Sequence, residues 1–216
     1  MNQTFNRASL EVIAGTMFSG KSKALLERGH RASEYGNIDV YYFKPILDTR
    51  DKGIVSRNGM SKEAFLVKRG MDIFKQMEEV RNESMIIIDE GQFFDDSLIY
   101  AIQLLRLKGH NLIVAGLDRD FRGQPFGIMP QLMALSDTHI VKIYPVCSIE
   151  NCVEDGNLPQ RNRNGNPDSA LSPTVVIEGS SDEITYTPVC KSHHVVPDLT
   201  EYILSLIHIS EPTRPY

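Results

Sequence analysis

An α/β fold, with helices covering both faces of a parallel sheet, is predicted by three features of the chain. Short apolar runs alternate with amphipathic stretches, two of those runs are continuously apolar, and the first leads straight into a glycine-rich turn. A continuous apolar run marks a strand buried on both faces, because a strand with one wet face alternates polar and apolar residues.

Taken in order, Leu10–Ala14 reads as a strand and Lys21–Glu34 as the helix that follows it. Val40–Phe43 is the next strand. Met71–Arg81 is helical and leads to the run Met85–Ile88, and Leu98–Lys108 is helical and leads to Leu112–Ala115. Composition changes after about Tyr144. From Cys147 to Pro188 the chain is rich in Asn, Asp, Gly, Ser and Pro, with one strand predicted over Thr174–Ile177. Such a stretch cannot bury enough apolar surface to hold itself together and needs a staple. The organisation expected is a sheet domain over 1–145, a small loop-rich domain over 146–200 and a tail over 201–216. Two prolines in Glu211–Tyr216 and the lack of periodicity from Ser205 onward give that tail no packed role.

Bulk composition bounds the function classes. With 216 residues, 41% hydrophobic and 24% charged, the chain is neither collagenous, coiled-coil nor disordered, and it contains no internal repeat. A net charge of −5 with no basic, aromatic-interleaved cluster speaks against nucleic acid or an anionic membrane as partner. No run approaches the roughly 18 apolar residues of a membrane helix, and the polar stretch Met1–Leu10 carries no apolar export signal, so a cytoplasmic protein is expected. Three cysteines do not make a disulfide scaffold.

Chemistry enters at Gly15-Thr16-Met17-Phe18-Ser19-Gly20-Lys21-Ser22, a full G-x-x-x-x-G-K-[ST] phosphate loop between a predicted strand and a predicted helix. Its glycines let consecutive backbone N–H groups curl around phosphate oxygens, Lys21 reaches the β/γ-phosphates, and Ser22 is placed to ligate Mg²⁺. The sheet is therefore expected to be of the P-loop NTPase type. A second acidic site follows the run Met85–Ile88: Asp89 is placed to hold Mg²⁺ from the end of a neighbouring strand, and Glu90 to act as a base. Acids in the first turn of a helix would give the same pattern, and the pair cannot distinguish activation of water (an ATPase) from activation of an alcohol (a kinase).

Cys147-x4-Cys152 and Cys190-x2-His193 form two short-spaced pairs of soft ligands at the two ends of the loop-rich unit. Together they complete a tetrahedral Cys₃His zinc site with no open position, hence a structural one. Three buried inert cysteines are the alternative, and His194, adjacent to His193, leaves the fourth ligand open by one residue.

Three ordered blocks now resemble one family. Met17–Ser22, Ile88-Asp-Glu-Gly-Gln-Phe-Phe94 and Leu117-Asp-Arg-Asp-Phe-Arg-Gly-Gln-Pro-Phe-Gly127 resemble the thymidine kinases of the cellular cytosolic type, type II, with Asp48-Thr-Arg50 and Ser56-Arg-Asn-Gly-Met60 where that family has similar segments. The resemblance covers about Leu10 to His193. It implies transfer of the γ-phosphoryl group of ATP to the 5′-hydroxyl of thymidine or deoxyuridine with Mg²⁺, giving dTMP for salvage, in a homotetramer. Glu90 matches the general base and Asp89 the Mg²⁺-associated acid, and Gly91 and Gln92 complete the cofactor-binding block. Phe93, Leu117 and Phe121 match the residues around the thymine ring. A loop over about 174–186, held by the zinc unit, matches the segment that meets the base largely through backbone, which brings in Val176, Ile177, Glu178, Gly179 and Tyr186. Arg122, Gly123 and Gly127 fall in what resembles a mobile segment. The chain departs from the family in the x4 spacing of its first cysteine pair, in a longer stretch over Glu178–Thr185, and in the polar stretch Asn162–Pro167, expected to be exposed or disordered. A P-loop ATPase with a zinc ribbon acting on nucleic acid shares the phosphate loop, the acids and the metal ligands, and the net charge of −5 without a basic, aromatic-bearing cluster counts against it.

Overall fold

A computed structural model describes residues 8–47, 53–56, 59–138, 140–176 and 183–209. The chain divides into two compact units: Met1–Asp118 with Pro125–Tyr144, and Arg119–Gln124 with Pro145–Tyr216.

In the first unit the elements run β1 (Leu10–Ala14), α1 (Lys21–Gly36), β2 (Asp39–Pro45), β3 (Gly53–Val55), β4 (Ser61–Glu63), β5 (Phe65–Val67), α2 (Gly70–Gln76), β6 (Ser84–Ile88), α3 (Ser97–Leu107), β7 (Asn111–Gly116), α4 (Met129–Leu135) and β8 (Val141–Lys142). Six strands make one sheet in the order β5-β2-β6-β7-β1-β8, and every pairing in it is parallel. Register is set where the continuous apolar runs meet: Leu10 opposes Leu112, Val12 opposes Val114, and Ile86 opposes Leu112. Successive side chains in a strand point to opposite faces, so each run feeds two cores. Leu10, Val12, Ile86, Ile88, Leu112 and Val114 pack with the apolar side of α2, α3 and α4, while Ile13, Ile87, Ile113 and Ala115 pack with Ala24, Leu25 and Leu26 of α1. The predicted class, a parallel sheet with helices on both faces, is what the structure has.

The elements depart from expectation where tertiary context decides. The predicted helix Met71–Arg81 is shorter, ending at Gln76 with Met77 as its cap. A proline within its first turn starts α4, which periodicity did not reveal. The short strands β3 and β4 pair antiparallel as a separate ribbon. Asp48–Arg50, Arg57 and Asn58 lie outside the described residues.

The second unit contains β9 (Leu158–Arg163), β10 (Asn166–Pro167), β11 (Ile184–Val189) and α5 (Leu199–Ile209), with the three strands antiparallel in the order β10-β9-β11. The stretch Asn162–Pro167, expected to be exposed or disordered, is exposed from Asn164 to Pro167 and ordered as a β-hairpin. Its turn residues Asn164 and Gly165 both have positive φ (50° and 79°), the signature of the Asn-Gly turn that suits the twist of paired strands. The strand expected over Thr174–Ile177 does not form through Val176, and Ile177 lies outside the described residues. The apolar cluster of this unit is small, comprising Leu158, Val189 and the three cysteines. Residues 201–209, expected in a tail with no packed role, belong to α5, where Ile203, Leu204, Leu206 and Ile207 are exposed, and 210–216 lie outside the described residues.

Candidate functional site

The phosphate loop leaves β1 at Ala14 and enters α1 at Lys21. Gly15 is required by close approach, since a Cβ there would stand 2.0 Å from the backbone oxygen of Ile143. Gly20 caps α1 in the left-handed region at φ 93°. Between them Thr16 is buried, Met17 and Ser19 are half-buried, and Phe18 is exposed with φ 64°. The Lys21 ammonium is buried and donates to the Thr16 carbonyl at 2.6 Å and to Ser19 Oγ at 3.4 Å. Burial lowers its pKa, and the negative charges of Glu90, Asp89 and Asp118 partly restore it.

Ser22 Oγ donates to Asp89 Oδ2 at 3.0 Å, so helix α1 and the end of β6 meet at the oxygen pair assigned to Mg²⁺. The strand bearing Asp89 is not the neighbour of β1, as the sequence reading had it; β7 lies between them. The two residues still meet because loop and acid both sit at the carboxyl ends of parallel strands, where an open α/β sheet gathers its ligands. Asp89 is buried, and its pKa is pushed up to about 6, first by desolvation and then by the charge of Glu90.

Glu90 is a non-glycine residue in the left-handed region, at φ 54°, and its N–H donates to Asp89 Oδ1 at 2.9 Å. A conformation of this kind persists only where its surroundings hold it. Gln92 is one of the groups that hold it: its side-chain N–H donates to Glu90 Oε2 at 2.5 Å, and its amide oxygen accepts the Leu117 N–H at 2.9 Å. The amide is itself enclosed. A Cβ on Gly116 would come within 2.6 Å of the Gln92 oxygen, and one on Gly91 within 2.8 Å of Val114. Phe93 is half-buried, edge-on to Phe126 at 5.7 Å between ring centroids, and Leu117 is half-buried at the end of β7.

In the second unit, Cys147, Cys152, Cys190 and His193 bring one donor atom each to within 4.8 Å of one another. The Sγ–Sγ distance of 3.9 Å (Cys152 to Cys190) and the Sγ–Nδ1 distances of 3.5 and 3.3 Å (Cys147 and Cys190 to His193) are the edges of a small tetrahedron. Zinc bonds of about 2.3 Å to sulfur and about 2.0 Å to nitrogen require edges of about 3.8 and 3.5 Å, so the donor set fits that ion. His193 is the fourth ligand of the cluster. His194 turns away, its Nε2 standing 2.9 Å from the Phe121 carbonyl. Burial opposes ionisation of Cys147, but the N–H groups of Ile149 and Cys190 outweigh it and lower its pKa to about 6, favouring the thiolate a metal needs.

The residues assigned to the thymine ring in this unit differ in state. Phe121 does not present a free ring: it is buried, with the Arg161 guanidinium 3.3 Å from its centroid and that of Arg122 at 4.4 Å. Val176 and Tyr186 are half-buried, and Ile177, Glu178 and Gly179 lie outside the described residues. In the segment expected to be mobile, Arg122 is buried and bonded to Asp120 at 2.9 Å.

A sequence model of the thymidine kinase family matches residues 8–194. The chain belongs to the thymidine kinase family. Among solved structures it is similar to the genome packaging NTPase B204 from Sulfolobus turreted icosahedral virus 2 in complex with ATP-gammaS, at 15% identity and a TM-score of 0.39 over 63% of this chain and 73% of that one. The same NTPase in complex with sulfate matches at 16% and 0.39 over 68% and 77%. As a thymidine kinase the protein is an enzyme that phosphorylates a nucleoside, and among its described residues no helix is long and apolar enough to cross a membrane.

The sequence reading of this thymidine kinase missed Asp118 and Lys142. Lys142 Nζ pairs with Asp118 Oδ2 at 3.0 Å, and Asp118 Oδ1 is buried with no hydrogen-bond partner among the described residues. The signal was present in an acid two residues past the apolar run that forms β7, but its partner lies 24 residues on, in a two-residue strand.

Asp89→Asn should stabilise the metal-free, nucleotide-free thymidine kinase by about 1–3 kcal/mol at pH 8. The folded pKa of about 6 stands above the unfolded value, about 3.9. Stability from this group is therefore fully present below about pH 4 and lost as pH rises through about 6. Denaturant unfolding from pH 4 to 8 measures the difference, and equal stability at pH 8 would contradict it. Chelation under reducing conditions should release one zinc per chain and deprotect the amides of β9 and β11 in hydrogen exchange; unchanged protection would argue against a structural role.

Proposed function

We propose that the protein transfers the γ-phosphoryl group of ATP to the 5′-hydroxyl of thymidine, and of deoxyuridine, as type II enzymes do, supplying dTMP for salvage. The observation that carries this reading is Glu90. Its carboxylate is held by Gln92 one residue beyond Asp89, and Asp89 is in contact with the phosphate loop through Ser22. An ATPase needs only to orient water. A base clamped in a strained backbone conformation suits an alcohol whose position is fixed by the rest of its molecule.

The roles follow from the donors and acceptors. The backbone N–H groups from Gly15 to Ser22 and the Lys21 ammonium bind the phosphates, Lys21 leaving its resting bonds to Thr16 and Ser19 to do so. Ser22 and Asp89 hold Mg²⁺, which when bound neutralises charge on the transferring phosphate. Glu90 accepts the 5′-hydroxyl proton as the sugar oxygen bonds to the γ-phosphorus and the bond to the bridging oxygen breaks, releasing ADP. Phe93 and Leu117 in the first unit, and Phe121, Val176, Ile177, Glu178, Gly179 and Tyr186 in the second, are the residues assigned to the nucleoside. Phe121 acts through its backbone and its packing, because its ring is covered. The zinc of the Cys₃His cluster is structural.

The family resemblance also supports a homotetramer in the cytoplasm. Exposed Tyr100, Leu104 and Leu107 on α3 supply apolar surface for an interface, and sedimentation velocity tests it.

In a coupled assay with ATP and Mg²⁺, thymidine and deoxyuridine should turn over and deoxycytidine should not. Equal turnover of deoxycytidine would defeat the specificity, and DNA-stimulated ATP hydrolysis without nucleoside phosphorylation would replace the whole reading. Glu90→Gln should lower turnover by about 10² to 10⁴ while ATP binding stays nearly intact; undiminished turnover would remove Glu90 from the role of base.

A further inference from the structure

Two buried guanidinium groups in the second unit do more than the mechanism asks of them. Arg122 donates from Nε to the Ala170 carbonyl at 2.6 Å, from Nη1 to Thr174 Oγ1 at 2.9 Å, and from Nη2 to the Ser172 carbonyl. Arg161, fully buried on β9, donates from Nη1 to the carbonyls of Pro173 at 2.8 Å and Thr174 at 3.2 Å. Within five residues of irregular chain, four carbonyls and a hydroxyl are taken up by two side chains.

The guanidinium groups are themselves fixed. Arg122 pairs with Asp120 Oδ2, while Asp120 Oδ1 accepts the N–H groups of Arg122 and Gln124 and so shapes the turn that carries the arginine. Arg161 Nε lies 2.7 Å from Asp168 Oδ2 as an ion pair. Asp168 also accepts Ser172 Oγ at 2.8 Å. Both guanidinium planes lie against the Phe121 ring, and Arg122 also lies 4.5 Å from the ring centroid of Tyr202 in α5. The Phe121 carbonyl is held by His194, the residue after the metal ligand His193. Finally, Arg161 opposes Tyr186 in the β9–β11 pairing. The arginine that holds the chain at 173–174 is thus register-paired with Tyr186, and Val176 follows two residues beyond Thr174.

For stability alone, packed apolar side chains would serve a small core as well as buried ion pairs do. What they cannot do is set several carbonyls at defined positions. A planar fork with five donors can, and a lysine with its single ammonium cannot reproduce it.

We infer that Arg122 and Arg161 are positioning residues for nucleoside selection, holding 170–174 so that Val176 and Tyr186 stand where the base is met. This inference rests on the reading above, that Val176 and Tyr186 serve the nucleoside.

The test uses the full, zinc-loaded chain and the variants Arg122→Lys and Arg122→Gln. The KM for thymidine should rise roughly tenfold or more, because displacement of positioning groups by about 1 Å already costs that much or more. The KM for ATP and the zinc content should stay at wild-type values, and Arg122→Lys should fail to rescue. A merely structural role would lower the amount of active enzyme without separating the two KM values. Limited proteolysis within 170–176 should be faster in both variants. If Arg122→Gln does not fold, Arg122→Lys decides alone. A wild-type thymidine KM in a folded Arg122→Lys protein, or a wild-type rate of cleavage in 170–176, would overturn the inference. Absence of nucleoside phosphorylation by the wild-type enzyme would instead overturn the proposed function, and the proteolysis arm would still report whether the anchor exists.

Discussion

The site of the first unit depends on one buried amide. Gln92 gives its N–H to Glu90 and its oxygen to the Leu117 N–H, joining the turn after β6 to the end of β7. It adds to the backbone bonds that hold Glu90 in a left-handed conformation, the Glu90 N–H on Asp89 Oδ1 and the Phe93 N–H on the Glu90 carbonyl, beside a second carboxylate that repels it. The amide can do this because Gly116 leaves no Cβ to compete for its space, and because its buried dipole, once both ends are satisfied, is costly to move. The acids, the lysine and the serine are then held by their own strand ends and helix.

The two units solve the problem of cohesion in different ways. The first buries continuous runs of Ile, Leu and Val between helices on both faces of a parallel sheet, the ordinary hydrophobic solution. The second has too few apolar residues for that. It uses a Cys₃His cluster at one place and two guanidinium groups at another, with Phe121 packed beneath the latter. Charged forks are directional where apolar packing is not, and a metal held by the four donors would be too, so such a unit holds particular backbone atoms in place.

Asp89 shows the cost of building such a site. Desolvation beside a second carboxylate raises its pKa to about 6, so near neutrality the fold carries a buried negative charge that it would be more stable without. The Ser22 hydroxyl and the Lys21 ammonium offset part of that cost, and a divalent cation would offset more. Stability is given up where charge is needed for phosphoryl transfer.

How much was legible follows from how local each feature is. Gly15–Ser22, Met85–Glu90 and the two ligand pairs are contiguous or nearly so, and their residue types have few other uses in those patterns, so the sequence determined the turn between β1 and α1, the acids after β6, the donor cluster to within His193 or His194, and the class of the sheet. The tertiary structure alone decided that β7 separates the strands of Gly15 and Asp89, that His194 meets the Phe121 carbonyl and stands outside the donor cluster, and that Arg161 covers a ring expected to face a base. The β1–β7 ladder and the His194–Phe121 contact join residues far apart in the chain through backbone groups that every residue carries. A partner common to all positions leaves no mark in a sequence until folding brings one of them within reach.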